Sequence, residues 1–276
     1  MFTTGTKVWL FLIALCFSLL LLGGRFGGRW GLLLGFLLAL GVNALIFFLG
    51  ESRILSHLQA RILKGHDSWG LRDRIERLCR RLNLKMPHLY LMESDTATLF
   101  SLSFATRRPS LCVSSALLRK LSEDELDAVL TQQLCHLNRM ESFGFGVASV
   151  LANTLMGVGE FLDGLWPPNF LLDRKQKPFL TLLSPLGWLI VRLSIRRGTF
   201  FENDRAAAEL LQNRELLGET LWRLEGLAQA RPLRIPPCTS HLFIVNPEGF
   251  RQKNFFLRSH PPLADRLRRL MGRPTA

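Results

Sequence analysis

The chain has 276 residues, room for one domain of ordinary size together with membrane segments. Apolar residues make up 48% of it and are clumped rather than spread. The net charge of +13 does not read as a nucleic-acid footprint, because scattered arginines are interspersed with carboxylates through residues 67–141. The denser basic tract from Arg251 to Arg273 fits an anionic membrane surface nearby, and no nucleic-acid partner is expected. Five cysteines (Cys16, Cys79, Cys112, Cys135, Cys238) without paired spacing argue against a disulfide frame or zinc knuckle.

In chain order, residues 8–22 and 31–49 are uncharged apolar runs, each close to the roughly 20 residues that cross a bilayer core. They read as an N-terminal hairpin anchor. The competing reading of the first is a cleaved signal peptide, but where a small-residue cleavage site would fall Gly23-Gly24-Arg25 runs almost directly into the second apolar run. Ser52–Lys64 has Ile54, Leu58 and Ile62 at helical spacing, and Leu71–Leu82 follows the same rule until Asn83 and Pro87 end it. His88–Met92 reads as a strand. A second strand is Leu111–Ser114, entered through the turn signal Arg107-Arg108-Pro109-Ser110, with Thr98–Thr106 as a candidate edge strand. Ser114 and Ser115 can cap a short helix over Ala116–Leu121, and Ser122 with Glu125 forms a capping box opening a longer one. On that longer helix Leu126, Val129, Leu130, Leu134 and Leu137 form an apolar stripe, with Gln132, Gln133 and His136 off it.

Two further apolar stretches, residues 143–159 and 179–195, are shorter; the second carries Pro185 and Arg192 and also reads as a buried helix of a soluble domain. Phe201–Leu211 and Arg214–Leu227 follow as helices, then an irregular Pro-rich stretch over residues 231–260 with a strand-like Leu242–Val245. Leu263–Met271 is the last helix. With four spans, the basic flanks Arg53, Arg61, Lys64, Arg192, Arg196 and Arg197 place the N-terminus, residues 50–142 and the C-terminal part in the cytoplasm. Arg174, Lys175 and Lys177, on the opposite connection, pull the other way.

Four segments carry a resemblance in their order and spacing: the capped helix through Glu125–Leu130, Phe201-Glu202-Asn203-Asp204-Arg205-Ala206, Leu242–Pro247, and Ser259-His260-Pro261-Pro262 with Arg266. Together they resemble the HtpX family of membrane zinc metallopeptidases over nearly the whole chain. The resemblance implies an α+β, mainly helical fold with about four transmembrane helices and a cytoplasmic peptidase domain holding a small sheet. It divides the chain into a hairpin (1–50), the first half of the peptidase-like domain (51–142), a second apolar hairpin (143–197) and the second half (198–276). A bacterial inner membrane is the setting that the family implies.

The family's zinc helix reads H-E-x-x-H, because residues four apart share a helix face and two imidazoles can meet one ion, with the Glu as general base. Here the window is Gln132-Gln133-Leu134-Cys135-His136. The family's third ligand, a Glu four residues before the residue matching Asp204, corresponds to Phe200. Glu202 lies about 200° around the helix from that position and does not replace it. No catalytic or metal-ligating set is intact among Gln132, Gln133, His136, Phe200 and Asp204. The expectation is therefore a pseudoenzyme without zinc or other cofactor, Phe200 filling the former metal cavity and His136 pairing with Asp204 or Gln132. Such a protein would act in membrane-protein quality control or as a regulatory or assembly subunit, with the lipid bilayer and a membrane protein or complex as partners.

Two other functions stay open: a working membrane zinc endopeptidase with non-standard metal ligation, and a purely structural subunit. His57, His66, His88 and His241 are the remaining candidate suppliers of a site, none at ligand spacing. In the family, the strand beside the active site and the His-Pro-Pro region engage the substrate chain. The matching places are Phe100, Ser101, Leu111, Cys112, Val113, His260 and Arg266, with Thr98-Leu99-Phe100 replacing the family's Asn-Ala-Phe. Equally, His260-Pro261-Pro262 reads as a simple cap for the last helix.

Overall fold

The computed structural model describes residues 4–63, 67, 69–103, 108–138, 141–165, 177–196, 198–235, 239–249 and 260–272. Of the features read from sequence, His66, the end of the candidate edge strand at residues 104–106, Arg107 of the turn signal, the connection at residues 166–176 and residues 250–259 of the basic tract lie outside these.

Helix α1 (Thr4–His57) is a hairpin of two apolar arms that reverse at Gly28, whose φ of 56° with ψ of −137° is open only to glycine. The arms pack backbone to backbone. A Cβ on Gly23 would run into the Gly31 carbonyl oxygen, and one on Gly35 into that of Leu19. Farther along, the Asn43 amide donates to Cys16 Sγ at 3.1 Å. Phe17, Phe26, Trp30 and Phe36 stand exposed on the hairpin, as side chains facing lipid do. By length and composition Leu12–Ala44 and Phe143–Gly164 are apolar enough to cross a membrane, and Pro178–Arg192 is a shorter apolar helix.

The second hairpin joins α5 (Glu141–Leu165) to α6 (Pro178–Ser194). The Asp163 carboxylate of α5 accepts from the Phe179 and Leu180 amides, both at 2.9 Å, and so caps α6 in place of a local side chain. Gly159 lets the helices close up, since a Cβ there would sit 3.0 Å from Leu180 Cα.

A four-stranded mixed sheet runs in the order β1 (Ala60–Ile62), β2 (His88–Met92), β4 (Ser110–Ser114), β3 (Leu99–Leu102). Strands β2 and β4 are parallel, in register at Tyr90 and Cys112, and the other two pairs are antiparallel. Strand β1 corrects the expectation of one helix over Ser52–Lys64. Helix α1 stops at His57, Gln59 turns with φ 52°, and Ala60–Ile62 pair with the open edge of β2. Ile54 and Leu58 keep their buried helical face while Ile62 is exposed. Pairing satisfies the backbone groups of Ala60–Ile62, which outweighs a local helical pattern.

Helix α2 (Leu71–Leu82) ends at Asn83 in the left-handed conformation, as its sequence predicts. Ser114 caps α3 (Ser115–Lys120), and Ser122 and Glu125 form the reciprocal capping box of α4 (Glu123–Leu137). Helices α7 (Gly198–Leu211), α8 (Arg214–Ala230) and α9 (Leu263–Met271) complete the domain. The strand-like Leu242–Val245 is instead a 3-10 turn, Ser240–Leu242, followed by a single antiparallel bridge from Phe243 to Phe100.

Candidate active site

Helix α4 is buried from Ala128 through Leu137, so it has no solvent face over that stretch. Its apolar stripe meets the main core while Gln132, Gln133 and His136 face α7, β3 and α5. Five positions singled out from the sequence, Gln132, Gln133, His136, Phe200 and Asp204, do come together there, each between 2% and 5% exposed.

Every polar side chain in this group has found a protein partner. Gln132 Nε2 donates to Asp204 Oδ1 at 3.0 Å. Arg266 grips the same carboxylate, Nε to Oδ2 and Nη2 to Oδ1 at 2.7 Å each, and its Nη1 donates to the Ile244 carbonyl at 2.6 Å. Ser101 Oγ on β3 donates to Gln133 Oε1 at 2.7 Å. His136 meets Asn203: the Asn203 amide lies 3.0 Å from His136 Nδ1. With the amide donating, the imidazole proton sits on Nε2; the reverse amide orientation would put the unpartnered Oδ1 against Nδ1–H and expose the Nε2 lone pair. Asn203 was not anticipated, although it lies three residues from Phe200 and therefore shares its helix face.

Phe200 fills the centre of the site. Its ring lies 5.8 Å from that of Phe145 and 5.0 Å from His260, and the Arg266 guanidinium stands 5.7 Å away. Phe145, which no sequence pattern marked, packs against His136 at 4.9 Å and against His241 at 5.6 Å. Glu202 points elsewhere, toward Arg196 at 3.8 Å, as its rotation around the helix predicts. His241 Nε2 contacts the Phe145 carbonyl at 3.0 Å, and His260 Nε2 that of Phe243 at 2.8 Å. Burial holds both imidazoles neutral, pushing His241 down to about 4 and His260 to about 3, with Arg266 and His241 adding to the shift at His260. The Nδ1 atoms of both are buried without a partner among the described residues.

The substrate-strand residues are arranged differently. Leu111, Cys112 and Val113 lie on β4, an inner strand paired on both sides, and offer no free edge. Burial raises the Cys112 thiol well above its ordinary range, so it stays protonated. Phe100 and Ser101 lie on the edge strand β3, but Phe243 bridges Phe100 and the Ile244 amide donates to the Leu99 carbonyl at 3.2 Å. His260 caps this segment from outside and Arg266 braces it from within.

A peptidase-like helical domain with a small sheet, set on apolar hairpins and carrying a metalloprotease-type helix pair in α4 and α7, defines the class of an integral membrane metallopeptidase fold. The chain belongs to peptidase family M48, whose profile matches residues 67–274, in its HtpX group. A Protease HtpX homolog of Pelotomaculum thermopropionicum is 29% identical over 274 residues, 96% of this chain and 97% of that one. Another, of Acaryochloris marina, is 30% identical over 266 residues, 92% and 90% of the two chains. The solved structure of S. mikatae Ste24p overlaps with a TM-score of 0.48 at 17% identity, over 96% of this chain and 64% of that one, too loosely to carry residues across.

These comparisons correct two expectations. A chain matched along its length by proteins named proteases, within a family of peptidases, points to an enzyme rather than a pseudoenzyme, and the HtpX group points to zinc rather than to no cofactor. The residues at the H-E-x-x-H positions nevertheless do not fit zinc as the family holds it. Gln132 and Gln133 offer amide oxygens, poor donors to the ion, and Phe200 offers none. Among the described residues, no three His, Cys, Asp or Glu side chains are grouped to hold a metal. The imidazoles of His136, His241 and His260 surround Phe145 and Phe200 rather than a common point.

Proposed function

We propose that this protein is a membrane peptidase of the M48 class that acts on polypeptide, including membrane-protein segments, from the cytoplasmic side, and that donors outside the H-E-x-x-H pattern hold its metal. The observation that carries this reading is the match along nearly the whole chain to proteins named proteases. Within the site, His241 and His260 are the imidazoles to test as donors, since each has Nε2 against a backbone carbonyl and a buried Nδ1 with no partner among the described residues. A carbonyl that fixes one ring nitrogen leaves the other as a lone pair, as in histidines that bind metals.

The basic flanks of the apolar segments support the cytoplasmic placement. An extended substrate would approach along β3, where Ser101 and Gln133 sit, and would displace Phe243 and Ile244 from the strand edge.

The test is metal content and cleavage on one preparation, purified in mild detergent from zinc-replete cells. The expectation is about one zinc per chain, cleavage of an unfolded membrane protein that a chelator abolishes, and loss of zinc in both His241→Ala and His260→Ala. Background metal together with no cleavage would overturn the reading.

A further inference from the structure

On the far side of Asp204 and Arg266 from the aromatic cluster, α7 and α9 enclose a cavity of about 540 Å³, well within the range of small-ligand sites. Five arginines line it, Arg196, Arg205, Arg214, Arg266 and Arg269, against two carboxylates, Glu202 and Asp204. Two of the five are already committed: Arg266 to Asp204 in the buried back wall, and Arg205 to Glu209 at 2.8 Å. Arg196 meets Glu202 only at 3.8 Å. Arg214 makes no ion pair among the described residues, and Arg269 lies over the Phe201 ring at 4.0 Å, also with no carboxylate partner among them. Three further guanidinium groups thus line one cavity beside a single further carboxylate, Glu202, an excess of positive charge that favours an anion with several acceptor oxygens.

The position of the cavity selects the source of that anion. Arg196 follows α6 by two residues, and α6 is a short apolar helix packed against α5, which is long and apolar enough to cross a membrane. Two residues before the end of α6, Arg192 stands over the Trp188 ring at 4.9 Å, an aromatic and basic pair of the kind that marks the polar boundary of a bilayer. Arg196 therefore brings the cavity to the depth of lipid headgroups.

We propose that this cavity binds the phosphate of an anionic phospholipid headgroup, with Arg196, Arg214 and Arg269 as its ligands. The three ligands, Arg196, Arg214 and Arg269, are not among the residues assigned to peptide or metal. The cavity and the candidate active site are mechanically linked, because Asp204 and Arg266 form the back wall of the cavity and also tie α7 to Gln132 and Ile244. Bound lipid would hold α7 and α9 together from the membrane side.

Native mass spectrometry of the full chain, released from detergent with equal phosphatidylglycerol and phosphatidylcholine, tests this. The wild type is expected to retain phosphatidylglycerol in preference to phosphatidylcholine. Arg214→Gln and Arg269→Gln, made singly, are each expected to weaken that retention by about fivefold. Glu202→Gln, which removes the competing carboxylate, should strengthen it and guards against a loss caused by misfolding. Equal retention of the two lipids, or unchanged retention in both Arg variants, would overturn the site. Displacement of phosphatidylglycerol by millimolar inorganic phosphate would assign the cavity to a free anion and overturn the lipid source.

Discussion

Arg266 and Asp204 meet through two parallel hydrogen bonds of 2.7 Å, with side chains only 2% and 3% exposed. The pair joins α9 to α7 behind the candidate active site, and its third donor reaches the Ile244 carbonyl. Removing one partner of a buried pair strands the other charge. Arg266→Ala is therefore expected to cost about 3–5 kcal/mol, read as a lowered unfolding midpoint in detergent. Arg266→Met with Asp204→Leu should recover most of it, since an apolar replacement of the whole pair leaves no charge behind.

Phe200 occupies the position of the family's third ligand and is packed by Phe145 and His260. Phe200→Ala should destabilise by about 3–5 kcal/mol through the cavity it leaves. Phe200→Glu alone buries a carboxylate and should also destabilise. In combination with Gln132→His and Gln133→Glu it rebuilds the family's ligand set, and zinc affinity measured by competition with a chelator is expected to exceed that of the wild type.

Ser101 and Gln133 tie the edge strand to α4 through one buried hydrogen bond of 2.7 Å. Gln133→Leu leaves the Ser101 hydroxyl unsatisfied, at a cost of about 1–3 kcal/mol. Ser101→Ala combined with Gln133→Leu should be milder than Gln133→Leu alone, and a double-mutant cycle of unfolding midpoints reads the coupling.

His241 sets an acid limit on stability. Unfolded, its imidazole takes a proton near pH 6.5; folded, burial keeps it neutral down to about 4. Between these values the unfolded chain binds the extra proton. The stabilisation is therefore complete above pH 6.5 and declines as pH falls toward 4, by roughly 1.4 kcal/mol per pH unit. His260, less deeply buried, adds to the same trend. Unfolding midpoints of metal-free protein should fall below pH 6.5, and His241→Gln should flatten the profile.

The first hairpin depends on close backbone contact at Gly23, Gly31 and Gly35. With Asn43 replaced by Cys, oxidation should join it to Cys16, whose sulfur lies 3.1 Å from the Asn43 amide nitrogen. Adding Gly35→Leu should abolish that cross-link, observed as loss of the mobility shift on a non-reducing gel.

Much of this architecture was written locally. The apolar runs flanking Gly28, the capping box of Ser122 and Glu125, the stop at Asn83 and the strand His88–Met92 each depend on residues within a few positions of one another, so their patterns survive in sequence. The replacement of H-E-x-x-H by Gln132-Gln133-Leu134-Cys135-His136 was equally plain. What that replacement means for activity was not, because likeness along the whole chain to proteases bears on the question as strongly as one helix does.

Tertiary contact decided the rest. Ala60–Ile62 became a strand because β2, thirty residues on, offered an open edge. Helix α4 buries its polar face as well as its apolar stripe because α7 and β3 supply Asn203, Asp204 and Ser101 as partners. His241 and His260 reached the same aromatic cluster as His136 from more than a hundred residues away. Helical and strand periodicities are set by short-range geometry and can be read from neighbours in the chain. Which buried polar atom meets which depends on how the elements pack, and only the folded molecule brings those atoms within hydrogen-bond distance.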